Sequence, residues 1–335
     1  MNRTLMFDSR PQIISRASIA GPKEGKGPLG HRFDIVLQDD LLGLPSWELA
    51  EAEMERRACM LCLERAGITQ NQLEAQLGGD LLNQLMASGI AAREIGAPFL
   101  GLYGACSTMA EALLIAGVLV DGGYRRNAIA CASSHFCTAE RQFRFPLELG
   151  TQRPPSAQWT ATAAGAALVA KPENAHGGIR IECGTIGRVV DYEISDANHM
   201  GAAMAPAVAD TIGAHFADTG RSEADYDLIV TGDLGIVGRK ILLELMKERG
   251  VPVPEEKLFD CGANLFGHEQ DCHAGGSGCG CIASVLTGHI LRMMEDGQAR
   301  RVLALGSGAM TSTTSAQQGL SIPSISHAVA LAAGG

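Results

Sequence analysis

Short apolar runs alternate along the chain with stretches whose apolar residues recur at helical spacing, the signature of mixed α/β structure. Gln12 to Ser18 reads as a strand. Ser46 is placed to cap a long helix from Trp47 to Ala66, with Glu early and Arg late, as the helix dipole favours. Thr69 to Leu77 reads as a short second helix, and Ala91-Ala92 as the start of another. The run Pro98 to Tyr103 reads as a buried strand, followed by a helix in which Ala110, Leu113, Leu114, Gly117 and Val118 share a face. Ala128 to Ala132 and Trp159 to Ala170 are further buried strands. Strands between Ile179 and Val190 open the second half. They are followed by a helix-rich stretch from Met204 to Thr219, a strand at Tyr226 to Thr231 and a helix at Lys240 to Glu248. A helix from Ala283 to Met294 and a strand from Val302 to Leu305, ending in Gly306-Ser307-Gly308, complete the pattern.

The two halves match each other. One offset carries Gly104 to Gly278, Gly123 to Gly297, Ile129 to Leu303, Ala130 to Ala304 and Ser133 to Ser307. Gly79-Asp80-Leu has its counterpart in Gly232-Asp233-Leu. Each half therefore runs small-residue elbow, helix, Gly turn, apolar strand, Ser. A repeat of this size implies two similar α/β units packed face to face, with two helix N-termini directed at one central site. The linker-like Lys171-Pro-Glu-Asn-Ala-His-Gly-Gly178 divides them, giving units of 1–172 and 173–335.

The stretch from Gly101 to Ile115 organises the chemistry. Cys106 falls at a strand-to-helix elbow, with Ser107 and Thr108 placed to cap the helix. A helix N-terminus favours a thiolate and any anion beside it. The stretch itself leaves three readings open: a nucleophile, a ligand contact, or a small buried Cys in a tight turn. The other cysteines change the picture little. Cys59 and Cys62 lie at helical spacing and read as core thiols. Cys261, Cys272, Cys279 and Cys281, with His268 and His273, lack the paired spacing of structural zinc sites, and no metal or cofactor is expected. No calcium-loop pattern is present.

Composition narrows the function classes. The chain has 335 residues, 46% apolar and 19% charged, with 41 Gly and only 4% aromatics, so its core is built from small and aliphatic side chains. Its net charge of −10 and the lack of a basic run argue against nucleic acid as a partner and against direct attraction to anionic lipid. No signal peptide and no membrane-length apolar run are read from the sequence. Ten Cys without a secretion signal suit a reducing interior.

Duplicated halves with an Ala-Cys-Ser elbow in the first and a Gly-rich elbow in the second resemble the thiolase fold of ketoacyl synthases. The closer resemblance is to the stage V sporulation protein AD family, thiolase-like proteins of endospore-forming bacteria. It rests on Gly21-Pro-Lys-Glu-Gly-Lys-Gly-Pro-Leu-Gly-His31, Gly79-Asp-Leu-Leu-Asn-Gln84, Gly104-Ala-Cys-Ser-Thr108 and Ser133-Ser-His. It rests also on Thr138-Ala-Glu-Arg-Gln-Phe-Arg144, Met204-Ala-Pro, Tyr226-Asp-Leu-Ile and Ala274-Gly-Gly-Ser-Gly-Cys279, and covers essentially the whole chain. The resemblance implies a duplicated α/β fold layered α-β-α-β-α. It also implies a role in sporulation, as a subunit of the system that takes dipicolinic acid, or its calcium chelate, into the developing spore. Its expected partners are the other subunits of the spore membrane channel and a second copy of itself, as a homodimer through the Ala128–Ala132 strand or the helices of the first half. Its expected place is the forespore, peripheral at the inner spore membrane.

Condensing enzymes of this fold need a nucleophile, an oxyanion site and a His/His or His/Asn pair. Cys106 occupies the nucleophile position, and Gly308-Ala309 matches the oxyanion position. The pair is missing: Asp233 stands where the synthases carry His, and Gly275-Gly-Ser277 where they carry Asn. A carboxylate at Asp233 cannot neutralise developing negative charge unless it is protonated. His273 could take part in proton transfer or be an ordinary loop residue. The expectation is therefore a binding pocket, not an enzyme. Candidate ligand contacts are Cys106, Ser133, Ser134, His135, Arg141, Arg144, Asp233, Ser277 and Gly308, the arginines as bidentate partners for carboxylate. The alternative is an acyltransferase that uses Cys106 with an unusual partner set.

Overall fold

A computed structural model describes residues 2–143, 153–171 and 178–334. Ten principal strands carry the fold. In the first half they are β1 (Gln12–Ala20), β2 (Gln76–Gly79), β3 (Phe99–Gly101), β4 (Asn127–Ser134) and β5 (Ala163–Ala170). In the second they are β6 (Ile179–Thr185), β7 (Leu228–Thr231), β8 (Leu258–Asp260), β9 (Arg301–Ala309) and β10 (Ser324–Ala333). The strand order is β3-β2-β4-β5-β1 in the first half and β8-β7-β9-β10-β6 in the second. Strand for strand, this is the same arrangement twice, and it gives the sequence repeat a structural meaning.

Within each half the register follows the same plan. β2 runs parallel to β4 with Gln76 opposite Ile129, and β7 runs parallel to β9 with Leu228 opposite Val302. β4 and β5 are antiparallel, as are β9 and β10. The halves meet at their β1 and β6 edges, where Gln12 pairs with Arg180 and Ile13 with Ile179. The sequence implied units stacked face to face; the sheets are also continuous through this short edge contact.

Helices complete the layers. α1 (Trp47–Arg65) and α2 (Met86–Ile95) cover the outside of the first sheet, and α5 (Met200–Thr219) and α6 (Gly235–Glu248) the outside of the second. Between the sheets lie α3 (Thr108–Asp121), which touches strands of both halves, and α7 (Cys279–Val285), which continues through a π-turn into Leu291–Glu295. This is the α-β-α-β-α layering expected of the thiolase fold. A further helix, α4 (Phe136–Phe143), follows β4. Helices sit this close to the sheets because the facing residues are small. A Cβ on Gly165 of β5 would stand 2.2 Å from the Ala283 carbonyl oxygen of α7. β4 is buried along its whole length, the rule for a strand covered on both faces.

Several local expectations need correction. Thr69 to Leu77 is not a helix: a short 3-10 turn at Gln70–Gln72 leads into β2, because Gln76 and Leu77 are needed as an interior strand beside β4. Pro98 to Tyr103 is not buried: β3 is an edge strand, with Leu100 and Tyr103 about half exposed. Ala128–Ala132 has no free edge for dimerisation, since β4 pairs with β2 on one side and β5 on the other. Gly306-Ser307-Gly308 lies inside β9 and not after it. Ser46 does cap α1, its Oγ accepting from the Leu49 N–H at 3.3 Å. Residues 172–177 of the expected linker lie outside the described residues.

Candidate functional site

The site is built where the two elbows meet. After β3 the chain passes so close to Gly79 that a Cβ there would lie 2.0 Å from the Leu102 carbonyl oxygen. Ala105 then takes φ of 51°, a left-handed conformation that costs a non-glycine residue energy and marks an over-determined turn. The turn delivers Cys106 to the start of α3. Ser107 and Thr108 do not cap the helix. Their hydroxyls donate backwards instead, to the Gly104 oxygen at 2.6 Å and the Ala105 oxygen at 2.7 Å, and so lock the elbow.

The second elbow is formed by Gly276-Ser277, paired with Trp159-Thr160, and by Gly278, whose φ of 101° only glycine adopts readily. α7 begins at Cys279. A Cβ on Gly280 would stand 2.3 Å from the Ala163 oxygen, so this helix end rests directly on the first sheet. β9 supplies the contact with the first elbow: a Cβ on Gly308 would lie 2.3 Å from the Gly104 oxygen and 3.2 Å from the Ser107 nitrogen. The two helix starts thus converge, as the repeat implied.

Asp233 lies between them, fully buried. Its Oδ2 accepts from the Gly278 N–H at 2.9 Å and the Ser277 hydroxyl at 3.1 Å, and its Oδ1 from the Ser307 hydroxyl at 3.0 Å. The carboxylate's charge acts on the Cys106 thiol. Burial raises the Asp233 carboxyl to about 6, against the pull of these donors. Burial, and then the Asp233 charge, push the Cys106 thiol well above its usual range. Desolvation and the neighbouring carboxylate thus act on Cys106 against the helix end.

A cavity of about 310 Å³ opens onto Cys106 and Ser277. Its wall is largely apolar, from Leu81, Phe143, Met200, Met204, Ala309 and Met310. Its polar groups include Tyr103, Gln158, Thr160 and Ser312. Glu140 lines it too and is ion-paired with Arg153. Among the described residues no Lys, Arg or His lines this cavity.

Of the residues singled out from sequence, the structure brings Cys106, Ser277, Asp233 and Gly308 together. The others lie elsewhere or are otherwise engaged. The Ser133 hydroxyl donates to Glu55 Oε2 at 2.9 Å in a buried cluster behind β4. Ser134 joins the sheet to α7, donating to the Ala161 oxygen at 2.7 Å and accepting from the Gly280 N–H at 3.1 Å. His135 bonds the Asp40 carbonyl through Nε2 at 3.0 Å and accepts from the Cys137 N–H through Nδ1, while burial lowers its pKa. Arg141 pairs with Glu48 and faces a second cavity of about 340 Å³ with Asn83 and Gln142. Arg144 lies outside the described residues. His268 and His273 line neither cavity; His273 lies 3.7 Å from Asp271 on a partly exposed turn. Among the described residues no group of three His, Cys, Asp or Glu side chains is placed to hold a metal.

Sequence reasoning missed Gln158 and Met200. The Gln158 amide donates to the backbone carbonyl oxygens of Asp233 at 2.7 Å and Gly276 at 2.8 Å, fixing the second elbow. Neither carries a motif of its own. Ser307 was visible only as the repeat partner of Ser133.

Residues 1–332 match the family model described as stage V sporulation protein AD. The chain belongs to that family. Stage V sporulation protein AD of Bacillus subtilis (strain 168) is 42% identical over 327 residues, spanning 98% of this chain and 96% of the relative. Among solved structures, a variant of Xanthomonas campestris OleA is similar with a TM-score of 0.64 at 14% identity, covering 98% of this chain and 99% of that one. 3-Oxoacyl-[acyl-carrier-protein] synthase III of Aquifex aeolicus VF5 is similar with a TM-score of 0.57 at 14% identity, covering 96% and 99%. At that identity the likeness establishes the fold. Sporulation is the process in which this family is named.

Proposed function

We propose that this sporulation-family protein is a binding subunit and not a condensing enzyme. In this reading its elbow cavity takes dipicolinic acid, or the calcium chelate of that acid, for uptake into the developing spore. The observation that carries the reading is the buried Asp233 carboxylate, held by Ser277, Gly278 and Ser307 beside the cavity that opens onto Cys106. A nucleophile must shed its proton, and burial and the Asp233 charge both oppose that at Cys106, while the cavity remains open to a small molecule. A volume of about 310 Å³ is at the small end of ligand sites. Its methionines and Phe143 suit a planar ring, and Ser277, Gln158 and Thr160 offer hydrogen bonds to ring substituents. No helix among the described residues is long and apolar enough to cross a membrane, so attachment at the inner spore membrane would come through partner subunits. The exposed edge strand β3, with Leu100 and Tyr103, is the surface for a homodimer in this reading.

The apolar wall beside Cys106 supports the second reading, an acyltransferase. One calorimetric experiment separates them. Wild type, Cys106→Ala and Ser277→Ala are titrated with dipicolinate, with and without calcium, and with an acyl thioester as comparator. Saturable dipicolinate binding weakened in both variants supports the binding subunit. Acylation of Cys106 by the thioester with no dipicolinate binding overturns it.

A further inference from the structure

We propose that Arg153 is the residue through which the elbow cavity recognises a carboxylate, and that an acidic ligand reaches it by taking the place of Glu140 on the guanidinium. The inference rests on the binding-subunit reading of this cavity and names the charge it selects for. It turns on an ion pair in the cavity wall, which the contacts offered by Ser277, Gln158 and Thr160 do not involve.

The need for a cation comes from the charges already in place. Among the described residues no Lys, Arg or His lines the cavity, while Glu140 does. Behind Ser277 lies the buried Asp233 carboxylate, which accepts from Ser277, Gly278 and Ser307, all neutral donors. A dicarboxylate entering this largely apolar space gives up water and meets two acidic side chains. A guanidinium stands directly behind one of them. Arg153 Nη2 donates to Glu140 Oε1, and Nη1 donates to the Gln158 carbonyl oxygen at 3.0 Å. Glu140 and Gln158 both line the cavity, so the guanidinium is one side chain back from its interior.

Arg153 is held by more than its counter-ion. Its guanidinium lies 4.7 Å from the Trp159 ring centroid and 5.3 Å from that of Phe136, and the two rings stack on each other at 3.8 Å. Lys23 Nζ lies 4.1 Å from the Trp159 centroid, so a second cation shares that ring. With the Gln158 oxygen and two rings fixing it, the guanidinium keeps its place when the Glu140 side chain rotates away. α4 lies at the surface, with the neighbouring Arg141 side chain 49% exposed, so the displaced carboxylate has water to turn to. The paired side chains of Arg153 and Glu140 are only 13% and 15% exposed, and a guanidinium this buried is destabilised when it loses its partner. A ligand carboxylate removes that penalty by making the charge-assisted contact that Glu140 gives up. Gln at position 140 keeps an acceptor for Arg153 but not the charge, so the ligand no longer has a competitor.

The test is calorimetric titration, without calcium, of wild type, Glu140→Gln and Arg153→Gln. The two probes are dipicolinate and pyridine-2,6-dicarboxamide, which has the same outline and no charge. Glu140→Gln should bind dipicolinate at least about tenfold more tightly than wild type, and Arg153→Gln at least about tenfold more weakly. Both should bind the diamide within about threefold of wild type. Unchanged or weaker dipicolinate binding by Glu140→Gln overturns the exchange, and so does an equal shift for the diamide. A gain in affinity cannot come from a misfolded chain, so Glu140→Gln decides even if Arg153→Gln does not fold. Wild type that does not bind dipicolinate overturns the binding-subunit reading and this inference with it. Wild type that binds it while Glu140→Gln gains nothing overturns this inference alone.

Discussion

Replacing Glu55 by Gln should stabilise the protein at alkaline pH and leave it nearly unchanged at pH 5. Glu55 is on the inner face of α1, fully buried, one helical turn from the equally buried Glu51. Its carboxylate accepts from the Ser88 hydroxyl at 2.7 Å, the Ser133 hydroxyl at 2.9 Å and the Cys131 thiol at 3.3 Å. Asp80 and Glu51 complete the cluster, whose carboxylates accept from hydroxyls, a thiol and backbone N–H groups. Burial, with the Asp80 charge adding to it, raises Glu55 from 4.5 to about 7 despite these donors. In the unfolded chain the group returns to its ordinary value. Below about pH 4.5 both states hold the proton. Between there and about 7 the folded chain holds a proton that the unfolded chain has released, so stability falls as the pH rises; above about 7 the loss is complete. At about 1.4 kcal/mol for each pH unit, the interval is worth about 3 kcal/mol. Gln cannot ionise and keeps an acceptor for Ser88 or Ser133. Relief of Glu51 and Asp80 adds in the same direction. Urea unfolding followed by circular dichroism at pH 5, 6, 7 and 8 measures the difference between variant and wild type. It should grow from within about 1 kcal/mol at pH 5 to about 3 kcal/mol in favour of the variant at pH 8. A difference that stays constant across this range would refute the reasoning, because it would mean Glu55 is not protonated preferentially in the folded chain.

Two further outcomes test the architecture. Gly308→Val should cost about 1–3 kcal/mol or more, since even its Cβ would stand 2.3 Å from the Gly104 oxygen; unchanged urea unfolding would show that the elbows do not touch there. If the proposed homodimer forms through β3, Leu100→Glu on that exposed edge should lower the mass in sedimentation velocity from dimer to monomer; a wild type that is already monomeric, or a variant that stays dimeric, refutes that contact.

What was legible in the sequence follows from what repeats. The offset that aligned Gly104 with Gly278 and Ser133 with Ser307 also matches β4 with β9 and α3 with α7, and the two strand orders coincide. Continuous apolar runs such as Ala128 to Ala132 marked strands covered on both faces. Pro98 to Tyr103 looks the same in one dimension, but its burial depends on being first or last in the sheet, which no local pattern records. Of the residues picked from the sequence, Cys106 and Ser277 line the cavity, and Ser133, Ser134 and His135 do not. Those residues do stand at the C-terminal end of a strand, but β4 is interior, and their polar atoms serve α1, α7 and the loop at Asp40.

Asp80 and Asp233 show why identity in a repeat does not transmit role. Each follows the equivalent strand, β2 or β7, and each is buried. Asp80 spends its oxygens locally, on the N–H groups of Leu82 and Ser88 at the approach to α2. In the second half that local task belongs to another residue: Asp260, at the end of β8, takes the N–H groups of Leu234 and Gly235 at the start of α6, at 2.9 Å each. Asp233 is thereby left free of its own helix, and its carboxylate reaches across to Ser277, Gly278 and Ser307. The reach of Asp233 across the elbow is thus tied to more than one position. Asp260 satisfies the Leu234 and Gly235 N–H groups, and a change at Asp260 should draw Asp233 back toward α6 and away from Ser277 and Gly278.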